Sequence, residues 1–179
     1  SLFNEWWSWV VKIGLSIYLM KERMIPITCP HCWHVFEIKR DTVVIAQMDS
    51  VARIRLNDGS YFMHQCQKCK SMFYLYYPFL YRDPKKKFNL VLTQQKNIDN
   101  LSEDERVVLC HSVSQFLLAF KIYDQCLNPK LVLVKKKQLE KKLGRSIKFD
   151  YYDKKNGCLW FEDIAVSLTE KECKEILIL

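Results

Sequence analysis

Eight cysteines stand in this chain, and four of them form two tight pairs, Cys29-Pro30-His31-Cys32 and Cys66-Gln67-Lys68-Cys69. Two-residue spacing lets both sulfurs of a turn face one ion while the turn's amides stabilise their charge, and a second pair completes a tetrahedron. Four thiolates suit zinc, so the expected ligands are Cys29, Cys32, Cys66 and Cys69 around a single Zn ion. A closed set of four protein ligands leaves no position for water, which makes the expected ion structural rather than catalytic. The alternative is four buried thiols or a redox dithiol. His31, inside the first pair, and His64, two residues before Cys66, could each replace a ligand, but both are expected to be structural or solvent-facing. Cys126, Cys158 and Cys173 stand singly among apolar residues and read as small buried hydrophobes.

The pairs are separated by 33 residues, more than a short zinc finger needs, so the spacer must hold structure of its own. Residues 34–39 alternate like a strand, 43–46 form a short apolar run, 50–57 can make a helical turn, and 60–65 are extended. The fold class this implies is α+β, a zinc ribbon with a helical insertion joined to a small α+β module and preceded by an N-terminal apolar helix. The expected domains are residues 1–23 as that helix or a non-native leader, 24–93 as the ribbon, and 106–179 as a C-terminal module packed on it. Residues 94–105, polar and then acidic, read as the linker or surface loop between the last two.

From residue 27 the chain reads I-T-C-P-H-C, a strand, an inserted helical turn, H-Q-C-Q-K-C, and then Y-Y-P-F-L-Y-R-D-P-K-K-K-F over 76–88. This resembles the bacterial CpXC family in its first C-P-x-C, its second knuckle and a P-x-L-Y-x-D-x-x-K-x-F signature carried by Pro78, Leu80, Tyr81, Asp83, Lys86 and Phe88. The resemblance covers residues 27–179, strongly to Thr93 and loosely beyond. Many family knuckles carry Gly after the second cysteine and Pro in the second pair, whereas here Trp33 and Lys70 follow the pairs and Gln67 replaces the Pro. All four sulfurs are kept, so the departure bears on the geometry of the turn. The resemblance implies a fold without an established reaction.

In the second half, residues 106–111 read as a strand. Ser112 or Ser114 can cap a helix with Phe116, Leu117, Phe120, Tyr123 and Leu127 on one face. Asn128-Pro129 is a cap followed by Pro at the first helical position. Residues 131–134, Leu139 and Leu143 should be that helix's buried side, and Gly144 should end it. Residues 146–152 and 158–164 flank Asn156-Gly157 and should pair antiparallel. Thr169 and Glu172 match a capping box opening a last helix over 169–178.

The formal charge is 28 − 20 = +8, which favours polyanions only where the lysines gather. They gather in Lys85, Lys86 and Lys87, and in Lys135, Lys136, Lys137, Lys141 and Lys142 with Arg145, two sets of possible polyanion contacts. Tyr74, Tyr76 and Tyr77 near the first set could stack on bases if exposed. No G-x-S-x-G elbow or Gly-rich phosphate loop is present, and the chain has only four glycines. Glu37-x-Lys39 and Glu172-x-Lys174, with Asp150 or Asp163, match a nuclease fragment of a kind that any charged protein contains. Cys110-His111 are strand neighbours facing opposite ways and so are structural.

Residues 2–20 are the most apolar stretch, with Glu5, Ser8, Lys12 and Ser16 as a narrow polar stripe and Trp6, Trp7 and Trp9 at one end. The run is too interrupted to span a bilayer, and its positive charges follow the apolar part, the wrong order for export. It is expected to dock on its own fold or on a second copy, unless it is a leader and the protein begins at Met24. Unpaired cysteines beside a metal site place the protein in a reducing, cytoplasmic compartment. The function that follows is a structural-zinc binding or adaptor protein recognising another macromolecule, without catalysis. The partner would be protein or the chain itself through 1–23, or alternatively nucleic acid, with a nuclease-like enzyme as the remote reading.

Overall fold

A computed structural model of the chain describes residues 22–96 and 104–178. They form a mixed α+β structure with four helices and four small sheets among the described residues, in two compact units that divide between Leu117 and Leu118. Of the segment expected as an N-terminal apolar helix or leader, residues 1–23, all but the last two lie outside the described residues, and Glu22 and Arg23 open a β-strand instead, because they pair with Asp41 and Arg40.

In the first unit, β1 (Glu22–Thr28) pairs antiparallel with β2 (Val35–Asp41), from Glu22↔Asp41 to Thr28↔Val35. Along β2, Val35, Glu37 and Lys39 are exposed while Phe36, Ile38 and Arg40 are half-buried, the period of two of a sheet with one covered face. After β3 (Val43–Ile45), helix α1 (Ser50–Asp58) lies between the two cysteine pairs, as the sequence predicts. Asp49 caps it by accepting from the Ala52 amide at 2.9 Å, and Gly59 ends it at φ 82°, in the left-handed region open to glycine.

The chain continues through β4 (Met63–Gln65) and β5 (Met72–Tyr74), an antiparallel pair, then β6 (Phe79–Asp83), β7 (Phe88–Leu92) and β8 (Arg106–Cys110). A four-stranded sheet runs β3-β6-β7-β8, with β6 and β7 antiparallel and the outer pairs parallel. All of β7 is buried. The core beside it is aromatic: Phe62, Phe79 and Phe116 meet pairwise edge-on at centroid distances of 5.4–5.6 Å, the geometry ring quadrupoles favour. Glu105, expected in a surface loop, is fixed instead. It takes two bonds from Arg82 (3.2 and 2.8 Å) and one from Asn89 (3.0 Å).

Helix α2 (Val113–Asp124) starts with the Ser112 hydroxyl accepting from the Gln115 amide at 3.2 Å. In the second unit, Asn128 caps α3 (Pro129–Leu143), with Pro129 at its start and Gly144 at φ 68° after its end. A meander of β9 (Phe149–Asp153), β10 (Cys158–Phe161) and β11 (Ile164–Ser167) follows, then α4 (Glu170–Glu175) with a complete Thr169–Glu172 capping box. Ile122, Leu127, Val132, Ile147, Phe149, Leu159, Phe161 and Ile176 form this unit's core.

Three local expectations are corrected. The single strand over 158–164 is two, because Glu162 adopts φ 55° and turns the chain so that β11 pairs back on β10. Leu133, Val134 and Leu143 of α3 are 45%, 47% and 38% exposed. At 100° per residue the buried stripe is centred on Val132, and Leu133 and Val134 rotate past it. The last helix ends at Glu175 rather than 178, as Ile176 enters the core and Leu177 bridges to Leu127.

Candidate metal centre

The two cysteine turns are built alike. In the first, the Cys29 amide donates to the His34 carbonyl at 2.9 Å and the Trp33 amide to the Cys29 carbonyl at 3.0 Å. In the second, the Cys66 amide donates to the Ser71 carbonyl and the Lys70 amide to the Cys66 carbonyl, both at 2.9 Å. Each turn closes on the residue after its second cysteine, with Trp33 at φ 62° and Lys70 at φ 63°. The missing glycines therefore leave the turn geometry intact and cost strain, about 1 kcal/mol for each L-residue held left-handed.

Aromatic packing joins the hairpins that carry the turns. The Phe36 ring of β2 stacks on His64 of β4 at 4.9 Å and 17°, and both meet Phe73 of β5 edge-on. His64 is thus a packing residue; burial, and then the Arg40 charge, hold its pKa below the usual histidine range. His31 is exposed, and its amide approaches the Cys29 sulfur at 3.4 Å. Neither imidazole belongs to the cluster.

The sulfurs of Cys29, Cys32, Cys66 and Cys69 all lie within 4.8 Å of one another. The two short separations cross between turns, Cys29 to Cys69 at 3.7 Å and Cys32 to Cys66 at 3.6 Å. A tetrahedron with metal–sulfur bonds of about 2.3 Å has edges of about 3.8 Å, so the set fits one tetrahedral ion. It is far from a disulfide at about 2.05 Å, and all four cysteines are free.

The charges point the same way. The Cys69 amide, then desolvation opposing it and the Lys68 amide assisting, leave the Cys66 thiol below its usual pKa. The Ser71 hydroxyl and amide draw Cys69 down to about 6. At Cys32 the His34 amide works to lower the pKa, but desolvation and the three neighbouring sulfurs outweigh it and raise the thiol to about 11. Amides that favour thiolates converge on sulfurs too close to ionise together, a conflict that a divalent cation removes. Four cysteines could hold a metal ion here.

The lysines are divided between the two units. Lys85, Lys86 and Lys87 occupy the β6–β7 turn, which the buried Asp83 carboxylate holds by accepting from the amides of Lys85 (3.1 Å) and Lys86 (3.0 Å) and from Gln47 (3.0 Å). On α3, Lys135 pairs with Glu172 at 2.9 Å and Lys136 with Glu140 at 3.1 Å. Lys137, Lys141 and Lys142 are exposed. Of the tyrosines near the first set, Tyr77 is 1% exposed and Tyr74 40% exposed, with Tyr76 half-buried, so base stacking is open chiefly to Tyr74.

Burial pushes the Cys110 thiol up to about 12, and the neighbouring His111 ring bonds the Thr93 carbonyl at 2.8 Å. The Glu172 carboxylate serves its helix cap and Lys135.

No curated protein and no solved structure matches the chain. The family model described as CpXC protein matches residues 27–143, which span both cysteine turns, the β6–β7 signature and the chain to the end of α3. The chain belongs to the CpXC family.

Proposed function

We propose that Cys29, Cys32, Cys66 and Cys69 hold one structural zinc ion, and that the first unit is a zinc ribbon with α1 as its insertion. The protein would then act as a non-catalytic recognition module. The carrying observation is the sulfur set, whose cross-turn separations of 3.6 and 3.7 Å suit a closed tetrahedron. When bound, the ion ties two hairpins that otherwise touch through Phe36, His64 and Phe73. The residues that fix the turns, Trp33 and Lys70, do so through backbone alone and leave their side chains to solvent.

Recognition is supported by what those turns present. Trp33 is 76% exposed, Val35 65%, Met72 52% and Tyr74 40%, all on or beside the hairpins of the cysteine turns. Exposed large apolar groups beside the turns are candidate contact residues, and a solvent-facing Trp is a hot-spot residue type. A protein partner fits this surface. The reduced thiols suit a cytoplasmic setting, and no described helix is long and apolar enough to cross a membrane.

Nucleic acid is the second reading, favoured by exposed Lys85, Lys87, Lys137, Lys141 and Lys142. Metal analysis of protein purified without chelator tests the zinc claim. One equivalent, lost in Cys66→Ser, is expected, and less than about half an equivalent removes the site. Salt-dependent gel retardation on random DNA and RNA, beside a pull-down with wild-type and Trp33→Gly bait, separates the partners. Capture lost in Trp33→Gly with no retardation supports the protein reading, and retardation lost in a Lys137, Lys141 and Lys142 triple Glu variant supports the other.

A further inference from the structure

Helix α3 buries Val132, with Leu131 and Leu139 half-buried beside it, and turns its other side outward. At 100° per residue, Lys130, Leu133, Val134, Lys137 and Lys141 fall within an arc of about 100° on the side away from Val132. All five are exposed. Lys130 lies one turn before the aliphatic pair, Lys137 one turn after it, and Lys141 a further turn on.

The charges on this arc are free. Among the described residues, the side chains of Lys130, Lys137 and Lys141 make no ion pair or hydrogen bond, whereas Lys135 and Lys136, which point toward the buried side, are each paired. The one carboxylate of the helix, Glu140, is occupied by Lys136 and by the Ile147 amide, both at 3.1 Å. The phosphates of nucleic acid use lysines alone and leave Leu133 and Val134 idle. A lipid surface uses both residue types. Aliphatic groups enter the acyl boundary, while lysine stems lie along it and lift their ammonium groups to the headgroups.

We propose that the outer face of α3 docks on an anionic lipid surface, with Leu133 and Val134 at the acyl boundary and Lys130, Lys137 and Lys141 on the headgroups. Charge complementarity selects this occupant. Three free cations and no free carboxylate on the arc suit phosphatidylserine and disfavour a zwitterionic lipid. The contact is peripheral, since no described helix is long and apolar enough to cross a membrane. It is independent of the metal centre and of the Trp33 surface, and it assigns Lys137 and Lys141 to lipid in place of nucleic acid.

Vesicle flotation of the full-length, metal-loaded chain tests it. Phosphatidylcholine vesicles with about 30 mol% phosphatidylserine should carry the protein at about 0.1 M salt and release it at about 1 M, and phosphatidylcholine alone should not carry it. Lys130→Glu, Lys137→Glu and Lys141→Glu together should lower the partition coefficient at least about a hundredfold. Leu133→Gln with Val134→Gln, which keeps every charge, should lower it about tenfold. Absence of flotation with the anionic vesicles overturns the proposal, as does equal flotation with phosphatidylcholine alone or retention at high salt. Flotation unchanged by the lysine variant places the lipid contact elsewhere on the chain, and flotation unchanged by the aliphatic variant reduces it to diffuse charge; either result rejects the proposed face. Nucleic-acid retardation lost in the lysine variant, without flotation of the wild type, returns the lysines to the other reading. The headgroup and salt comparisons use wild-type protein and so remain decisive even if a variant fails to fold.

Discussion

The most consequential residues at the cysteine turns are two that carry no chemistry of their own. Trp33 and Lys70 hold φ of 62° and 63°, a conformation that costs an L-residue about 1 kcal/mol and costs glycine almost nothing. Trp33 is 76% exposed, so its removal forfeits little packing. Trp33→Gly is expected to be neutral or stabilising by up to about 1 kcal/mol, once the extra freedom glycine gives the unfolded chain is subtracted. The midpoint of urea unfolding of the metal-loaded protein measures this, and a clear fall would mean that the Trp33 side chain supports the fold. The four sulfurs were legible because their spacing is local and chemically specific. The turn geometry was legible only as a departure from the family's glycines, since left-handed backbone at Trp or Lys has no sequence signal.

Among the elements, those with local punctuation were the ones the sequence revealed. Asn128-Pro129 opens α3, Gly144 closes it, and Thr169 with Glu172 boxes α4. Strand β1 was not read because Pro26 lies within it, which argues against a central strand but suits the edge position that β1 holds in a two-stranded sheet. The 158–164 run was read as one strand because the turn at Glu162 lacks the glycine that would mark it. The family signature proves to be scaffold. Leu80, Tyr81 and Phe88 are buried in the β6–β7 hairpin, and Asp83, 2% exposed, fixes its turn. Asp83→Ala should therefore destabilise the protein by about 1–3 kcal/mol, the cost of orphaning the donors it serves, with calorimetry as the measure and an unchanged melting temperature as the contrary result. In the second unit, the Thr169 amide and then Lys135 hold the Glu172 carboxyl below its usual pKa of 4.5. A depressed folded-state pKa means stability fully present above about 4.5 and lost as pH falls through the folded value. Wild-type protein should accordingly lose more stability than Glu172→Gln between about pH 5 and pH 3, and parallel acid titrations of the two would refute the coupling.

For the whole molecule, a core of Phe62, Phe79 and Phe116 in one unit and one around Val132, Phe149 and Phe161 in the other give each unit its own apolar centre. The candidate ion touches only the first. Chelation should thus expose amides around β1, β2, β4 and β5 to hydrogen exchange while protection in α3 and β9–β11 persists. Loss of protection across both units at once would show that the ion stabilises the chain as a single body. The central claim, a closed four-sulfur site, is tested most directly by X-ray absorption at the zinc edge of the purified protein. A first shell of four sulfurs at about 2.3 Å is the expected result. A shell containing nitrogen or oxygen, which would open the site to a histidine or to water, or no bound zinc to measure, would contradict it.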